Sequence, residues 1–454
     1  MTLLWYHRGF EKFMSVVTTI LYFLITIIIL VFVHEFGHFI AAKLCKMRVD
    51  KFYLFFDFFN LRIFKFVKGD TEYGLGVFPL GGYVKVAGMI DESMDKEFIN
   101  KPPQPWEYRS KPVWQRMIVI TAGVIMNTLL AFAIFYFITI AQGRTRMETT
   151  TVGYVAKNSV AERYGILPGD KIISINGSEI EYWDEVRSQI FIENMGEDIE
   201  LAAERNGVRK EIFISKKDLV DLTERTFGVF SVSWVPEILQ VVEDKPAKKI
   251  GLQPGDVISE VNGEKILHSQ QFVDLIKNNP GKDLHLKWLR NSSEMSGSLK
   301  PDGDSTIGIA VGKYAGSVKT INYNVITAIP QGIHDLWHYG VVLFVKTMWR
   351  IIKGDIAFSK AVGGPVKIAQ YAGQSAEGGL IPFLGFMAML SITLAIINIL
   401  PFPALDGGHF VFLLYEGIFR RPVSHKVQIV VQNVGFILLM MFMAFVVYND
   451  IIHI

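Results

Sequence analysis

Residues Phe13–Val33 read FMSVVTTILYFLITIIILVFV and run straight into His34-Glu35-Phe36-Gly37-His38. The stretch before His34 carries no charge and is long enough to cross a bilayer as a helix. Ionisable side chains are costly at that depth, so three of them in one span point to a function. On a helix, His34 and His38 lie one turn apart on one face, the spacing at which two imidazoles can share a metal ion. Glu35 then stands beside them, placed to act on a metal-bound water. The run is longer than the apolar core of a secretory signal and meets Lys43 rather than a small-residue cleavage site. It reads as a membrane span.

The 454 residues are 50% hydrophobic and 20% charged. That is too apolar for an ordinary soluble chain and too charged for one wholly in lipid, which fits a membrane protein with sizeable aqueous domains. A formal net charge of +2 argues against a nucleic-acid partner and against a specialist for acidic substrates. Cys45 is the only cysteine, so no internal disulfide can form and the aqueous parts depend on their own cores.

Four stretches are long enough to span: the uncharged 13–33, continuing through the His/Glu cluster to 42, and the uncharged 117–141, 378–405 and 427–449. Lys43, Lys46, Arg48 and Lys51 follow the first, against Arg8 and Lys12 before it. The positive-inside rule therefore places the loop 43–116 in the cytoplasm. Both termini and the long segment 142–377 then fall outside, and the loop 406–426, with Arg420, Arg421 and Lys426, inside. Around Val341–Val345 the apolar run is cut by Lys346 and too short to span, so 320–377 reads as an extracytoplasmic amphipathic segment.

One pattern occurs twice in that outer segment. Gly165-Ile166-Leu167-Pro168-Gly169-Asp170-Lys171-Ile172-Ile173-Ser174-Ile175-Asn176-Gly177 returns from Gly251 as Gly251-Leu252-Gln253-Pro254-Gly255-Asp256-Val257-Ile258-Ser259-Glu260-Val261-Asn262-Gly263. Each copy reads as a Gly-Asp turn, an alternating apolar strand and an Asn-Gly turn. Both resemble PDZ domains of the bacterial protease-associated type, expected over 150–220 and 226–305. Such domains take up an extended peptide at a sheet edge, so peptide C-termini are candidate partners. Phe227-Gly228-Val229-Phe230, just ahead of the second copy, resembles a carboxylate-binding loop, with no counterpart placed in the first copy. The plainer alternative is a steric filter that never captures a chain end.

A catalytic zinc needs a third protein ligand and an open position for water. His34 lies nine residues before Lys43, roughly 14 Å by helical rise, and so in the cytoplasmic half of its helix. The third span reaches the same depth and ends Asn398-Ile399-Leu400-Pro401-Phe402-Pro403-Ala404-Leu405-Asp406-Gly407-Gly408-His409. Two prolines break the helix, and broken helix inside a membrane is tolerated only against protein or a watery cavity. Asp406 is the candidate third ligand; its ordinary alternative is a helix cap. Asn398, two turns earlier, is a candidate for binding substrate backbone or an oxyanion, or else a residue that glues helices together. Gly123 and Asn127 share a face of the second span, which reads as close helix packing with Asn127 near the site. His409 is read as pointing away, and His7, His268, His334, His338, His425 and His453 as unspecialised.

Together these features resemble the site-2 protease family, in particular its regulator-of-sigma-E protease type. HEFGH in the first span, the paired PDZ-like repeats and the Asn-x-x-Pro-x-Pro-x-x-Asp-Gly-Gly-His run occur in the family's order over nearly the whole chain. The resemblance implies a polytopic α-helical membrane protein with four spanning helices, a membrane-associated β-hairpin and two extracytoplasmic PDZ domains of β-rich α+β type. It implies Zn2+ held by His34, His38 and Asp406, with Glu35 as general base. It also implies cleavage of single-span membrane proteins within the bilayer of a bacterial inner membrane, such as anti-sigma factors already trimmed outside, or leftover signal peptides. Thr71–Lys85 alternates and turns like strands and is similar to the family's hairpin beside the active site. Its Gly81 and Gly82 are candidate substrate-binding positions. The chain departs from many relatives at Phe55-Phe56-Asp57-Phe58-Phe59, where they carry Gly-Phe-Gly.

A transmembrane helix hides its carbonyls in its own hydrogen bonds, so hydrolysis requires local unwinding, for which a sheet edge near Gly81-Gly82 is suited. The rival class is a non-hydrolytic metal-binding scaffold or zinc transporter that recruits partners through its PDZ pair. Glu35 separates the two, because a scaffold has no use for an acid between its ligands.

Overall fold

The computed structural model describes residues 2–57, 61–79, 81–89, 102–219, 224–303, 305–354 and 363–452, with side chains from residue 16 onward. Phe58, Phe59 and Leu80 lie outside the described residues. The chain forms two compact units. One comprises Met1–Gln142, Tyr323–Thr347 and Ala357–Ile454, the other Gly143–Asn322 and Met348–Ile356.

In the first unit, Val16–Leu44, Val113–Gln142, Leu380–Ile399 and His425–Ile452 are helices long and apolar enough to cross a membrane. Their outer faces leave Ile20, Leu21, Ile437 and Met441 exposed, which is costly in water and ordinary in lipid. Inside, Leu30, Ala131, Phe135, Met387, Ala388 and Ala395 form one buried cluster, rich in small residues where helices cross closely. The third helix stops at Ile399 rather than 405. Leu400 turns extended and Pro401 and Pro403 lack the N–H that would continue the ladder, so a new helix starts at Asp406 and ends at Phe419.

The segment 320–377 is more than an amphipathic surface piece. The helix Ala328–Asp335 continues through a wider turn, Leu336–Val342. A Cβ on Gly332 would sit 3.2 Å from Phe132 of the second spanning helix, and one on Gly340 would sit 2.6 Å from Ile392 of the third. Further on, the helix Pro365–Glu377 is capped by a group from another helix. Asp450 accepts hydrogen bonds from the N–H groups of Gly364 (2.9 Å), Val366 (3.1 Å) and Lys367 (3.1 Å) while fully buried. A buried carboxylate is sustained here by donors that a helix start leaves unpaired.

The loop 43–116 folds as a sheet of four strands, not a single hairpin over 71–85. β1 (Val49–Leu54), β2 (Arg62–Lys68), β3 (Thr71–Gly76) and β4 (Tyr83–Val86) stand in the order β2-β3-β1-β4. The hairpin joins β2 to β3, with Lys68 opposite Thr71. β3 runs parallel to β1 and β4 antiparallel to it, with Tyr53 opposite Tyr83. Alternation over 71–85 correctly signalled strands, but β1 inserts between the two that were expected to pair. Among the described residues β4 is left as an edge.

The second unit holds the repeat twice in three dimensions. Asn176-Gly177 and Asn262-Gly263 both take positive φ, as the tight turn requires. A matched ion pair locks each copy: Arg205 donates to Asp170 at 2.6 and 2.8 Å, and Arg290 to Asp256 at 2.7 and 2.7 Å. Each arginine also donates to the carbonyl that opens its repeat, Gly165 or Gly251. Phe227-Gly228-Val229-Phe230 belongs to the first copy, not the second. Val229–Ser231 pairs with Val152–Val155, and Phe227 is buried in the first core. Its counterpart is Ile307-Gly308-Ile309, where Ile309–Tyr314 pairs with Trp234–Val241 and Ile307 is buried in the second core. Each copy is closed by a strand from its own far end, so the first extends to Ser231 and the second runs from Trp234 to Tyr314, beyond the expected 220 and 305. His268 joins the copies: it donates from Nε2 to the Ser231 carbonyl (3.0 Å) and accepts from the Gln270 N–H (3.0 Å).

Candidate metal centre

The long first helix carries His34, Glu35 and His38 into the bundle, where His34 and Glu35 are buried. Room for the two rings is made by glycine. A Cβ on Gly37 would collide with the Ala122 carbonyl, and one on Gly123 would strike His38 Nε2 and lie 2.7 Å from His34 Cε1. The helix crossing expected at Gly123 is therefore close chiefly because imidazoles occupy the gap.

Asp406 arrives from the break after the third helix. Gly407 and Gly408 press against the carbonyls of Leu400 and Phe402, leaving no space for a Cβ. Arg116 of the second helix grips Glu416 at 2.6 and 3.0 Å and so ties the Asp406 helix in place. Gln432 of the fourth helix accepts from the Ala404 N–H at 2.8 Å.

Three ligand-type atoms converge. His34 Nε2 and His38 Nε2 are 3.2 Å apart, and Asp406 Oδ2 is 3.3 and 3.4 Å from them. An ion held tetrahedrally with bonds of about 2.0–2.1 Å needs its ligand atoms roughly 3.3–3.4 Å apart. No other group of three His, Cys, Asp or Glu converges in this way among the described residues. Asp406 Oδ2 is buried and accepts no hydrogen bond among the described residues, a cost that a cation would remove.

The surroundings present both rings with Nε2 inward. His38 Nδ1 lies 2.8 Å from the Val119 carbonyl, which can only accept, so the proton is on Nδ1 and the Nε2 lone pair is available. The Asn127 amide lies 3.4 Å from His34 Nδ1, with the nitrogen facing the ring and the buried oxygen lacking a partner among the described residues. Turning that amide over lets His34 Nδ1–H donate to Oδ1 and frees Nε2 in the same way. Asn127 is completely buried, and Ser391 donates to its backbone carbonyl.

Glu35 lines a cavity of about 40 Å³ shared with His34, His38, Asp406, Val84 and Val86 of β4, and His409. That is room for a water molecule beside an ion. Asn398 Nδ2 lies 3.4 Å from His34 Nε2, at the metal-facing vertex. A Cβ on Gly82 would lie 3.0 Å from Glu35 Cγ, so the chain entering β4 passes directly over the acid. Gly81 is one residue further away, at φ 147° against Phe56. His409, expected to point away, lines the cavity. Sequence reading also missed Gln432, Arg116 and Glu416; an amide within the apolar fourth span was the available signal for Gln432.

Two imidazoles, a carboxylate and an acid alongside are the donor set of a hydrolytic metal centre, here inside a bundle of membrane-type helices. Comparison with known proteins specifies the class: the chain belongs to peptidase family M50, which matches residues 22–442. It is 33% identical to the regulator of sigma-E protease RseP of Salmonella typhimurium, covering 96% of this chain and 99% of that protein. The protein of the same name from Escherichia coli is 33% identical over 94% of this chain and 97% of its own. A Pasteurella multocida protein provisionally named a zinc metalloprotease is 32% identical over 95% and 98%. A solved PDZ domain of an SdrC-like protein from Listeria innocua is 30% identical, covering 18% of this chain and 99% of that one, with a TM-score of 0.16.

Proposed function

We propose that this M50 peptidase cleaves single-span membrane proteins within the bilayer of a bacterial inner membrane, with zinc held by His34, His38 and Asp406. One observation carries the reading. Three ligand atoms stand at tetrahedral spacing, and one of them, Asp406 Oδ2, is buried with no hydrogen-bond donor among the described residues.

Zinc bound there would polarise a scissile carbonyl and lower the pKa of a nearby water. Glu35, in the same cavity, is placed to take a proton from an attacking water and to pass it to the leaving amine. Asn398 is placed to donate an amide hydrogen bond to substrate backbone near His34 Nε2. β4 offers a sheet edge with no further strand beside it among the described residues, and its Val84 and Val86 reach the cavity, so an unwound substrate segment can pair there as an extra strand, entering over Gly81 and Gly82. On β2, the exposed Ile63, Phe64, Phe66 and Val67 favour contact of this sheet with lipid.

The two repeats act as PDZ domains on the extracytoplasmic side, with the active site in the cytoplasmic half of the membrane. They exclude substrates with bulky outer domains or hold a trimmed chain end. Substrates of the anti-sigma-factor kind and leftover signal peptides satisfy that filter.

The test uses purified protein and a single-span reporter. Wild type and Glu35→Gln should both retain one zinc per chain, and wild type alone should cut. Cleavage by Glu35→Gln would remove Glu35 as the base of this centre, and zinc bound by a wild type that cuts no reporter would favour a scaffold or transporter instead.

A further inference from the structure

The cavity beside Glu35 contains an imidazole that this chemistry leaves unused. His409 lines it together with His34, Glu35, His38 and Asp406, one turn beyond Asp406. Its proton is located by a chain of bonds that begins at a backbone amide. The Ala404 N–H can only donate, and it donates to Gln432 Oε1 at 2.8 Å. That fixes the Gln432 amide, whose nitrogen can also only donate, and this nitrogen faces His409 Nε2 at 3.2 Å. His409 Nε2 is therefore an acceptor, the ring is neutral and the proton sits on Nδ1. Nδ1 meets no acceptor among the described residues.

The amide is itself held firmly. Ala404 stands at φ 71°, so its N–H direction is set by the turn that presents Asp406. A Cβ on Gly435 would collide with Pro403, so the fourth helix packs directly on that turn and carries Gln432 with it. The same turn thus aims both the third ligand and the His409 tautomer.

We propose that His409 is a further catalytic residue, whose Nδ1–H donates a hydrogen bond to the oxygen of the scissile carbonyl, and that Gln432 is the positioning residue that keeps the proton on Nδ1. As the water oxygen bonds to the carbonyl carbon, the C=O π pair moves onto oxygen, where the Nδ1–H meets it. When C=O re-forms, the C–N bond breaks and the amine nitrogen takes the proton carried by Glu35. A preorganised donor of this kind is worth about 10²–10³ in kcat. This inference rests on the hydrolytic reading above.

The experiment compares full-length wild type, His409→Ala, His409→Asn, Gln432→Glu and Glu35→Gln for zinc content and for kcat and KM on one single-span reporter. His409→Ala should keep its zinc and lose about 10²–10³ in kcat with KM nearly unchanged. His409→Asn, whose amide nitrogen stands near the Nδ1 position, should recover at least roughly tenfold of that loss. Gln432→Glu still accepts from Ala404 but also accepts from Nε2–H, drawing the proton off Nδ1, so it should fall with His409→Ala. Near-normal cleavage by His409→Ala or Gln432→Glu, loss of zinc from His409→Ala, or no recovery in His409→Asn would overturn the proposal. If Glu35→Gln still cuts, the assignment of Glu35 and this centre to the hydrolysis, on which the inference rests, fails. If Glu35→Gln is dead while His409→Ala cuts normally, only this inference fails.

Discussion

Adding one methyl group at Gly123 should disable the metal centre from the neighbouring helix. A Cβ there would overlap His38 Nε2 and lie 2.7 Å from His34 Cε1 and 2.9 Å from His34 Nδ1. Ordinary contacts are about 3.5–4.0 Å, so the His34 ring must retreat by roughly 0.6–0.8 Å. Metal–ligand distances tolerate only about 0.2 Å. Disturbing the support of a metal ligand typically costs about 10–100-fold in affinity, or roughly 1.4–2.7 kcal/mol. Misplacing reacting groups by 1 Å costs about 10²-fold in rate. Gly123→Ala should therefore bind zinc about 10–100-fold more weakly and cut about 100-fold more slowly. Gly385→Ala is the control, because its nearest outside atom is Ile138 Cδ1 at 3.9 Å, an ordinary contact. It should keep zinc and activity and melt no lower than wild type, since alanine is the better helix former. Competition titration against a chelator and reporter cleavage measure both variants. Wild-type zinc affinity in Gly123→Ala would refute the claim that this glycine exists to seat the two rings.

Asp406→Ala should reduce zinc affinity at least about 100-fold while leaving the helices folded, read by metal analysis and circular dichroism; stoichiometric zinc would remove Asp406 from the ligand set. Asp450→Ala strips three backbone N–H groups of their acceptor and should destabilise the start of the helix Pro365–Glu377 by about 2 kcal/mol. Hydrogen exchange should rise about 30-fold there and little elsewhere, and uniform protection would contradict this cap. Burial pushes the His268 imidazole below its ordinary 6.5. A depressed histidine pKa contributes stability that is complete above the unfolded value and is lost as pH falls through about 6.5 toward the folded value. Relative to their intrinsic exchange rates, amides of Gln270 and of Val229–Ser231 should thus be less protected at pH 5.5 than at pH 7.5, an effect absent in His268→Gln. Equal pH sensitivity in both proteins would sink this reading of the joint.

The candidate metal ligands were legible because lipid makes them conspicuous. His34, Glu35 and His38 interrupt an uncharged span, and the Pro401/Pro403 break announced that Asp406 comes from irregular chain. Spans were legible by length, although the third ended early because its prolines act before the apolar pattern does. The sheet over 43–116 was read as strands with the wrong partners, since alternation marks a strand without naming its neighbour. Phe227–Phe230 was assigned to the wrong repeat because adjacency in sequence suggested the second copy, whereas the first core buries Phe227. His409, Gln432 and the Val119 carbonyl were hidden for another reason. Their roles lie in which lone pair faces which donor, and spacing carries no such information.

The central claim is that the buried His-His-Asp centre cuts peptide bonds inside the membrane. Mass spectrometry of the products from a single-span reporter in lipid nanodiscs tests it most directly, by locating the broken bond. New termini are expected within the apolar span, toward its cytoplasmic half, formed by wild type and absent with Glu35→Gln. Termini in the aqueous loops, or the same products from Glu35→Gln, would contradict it.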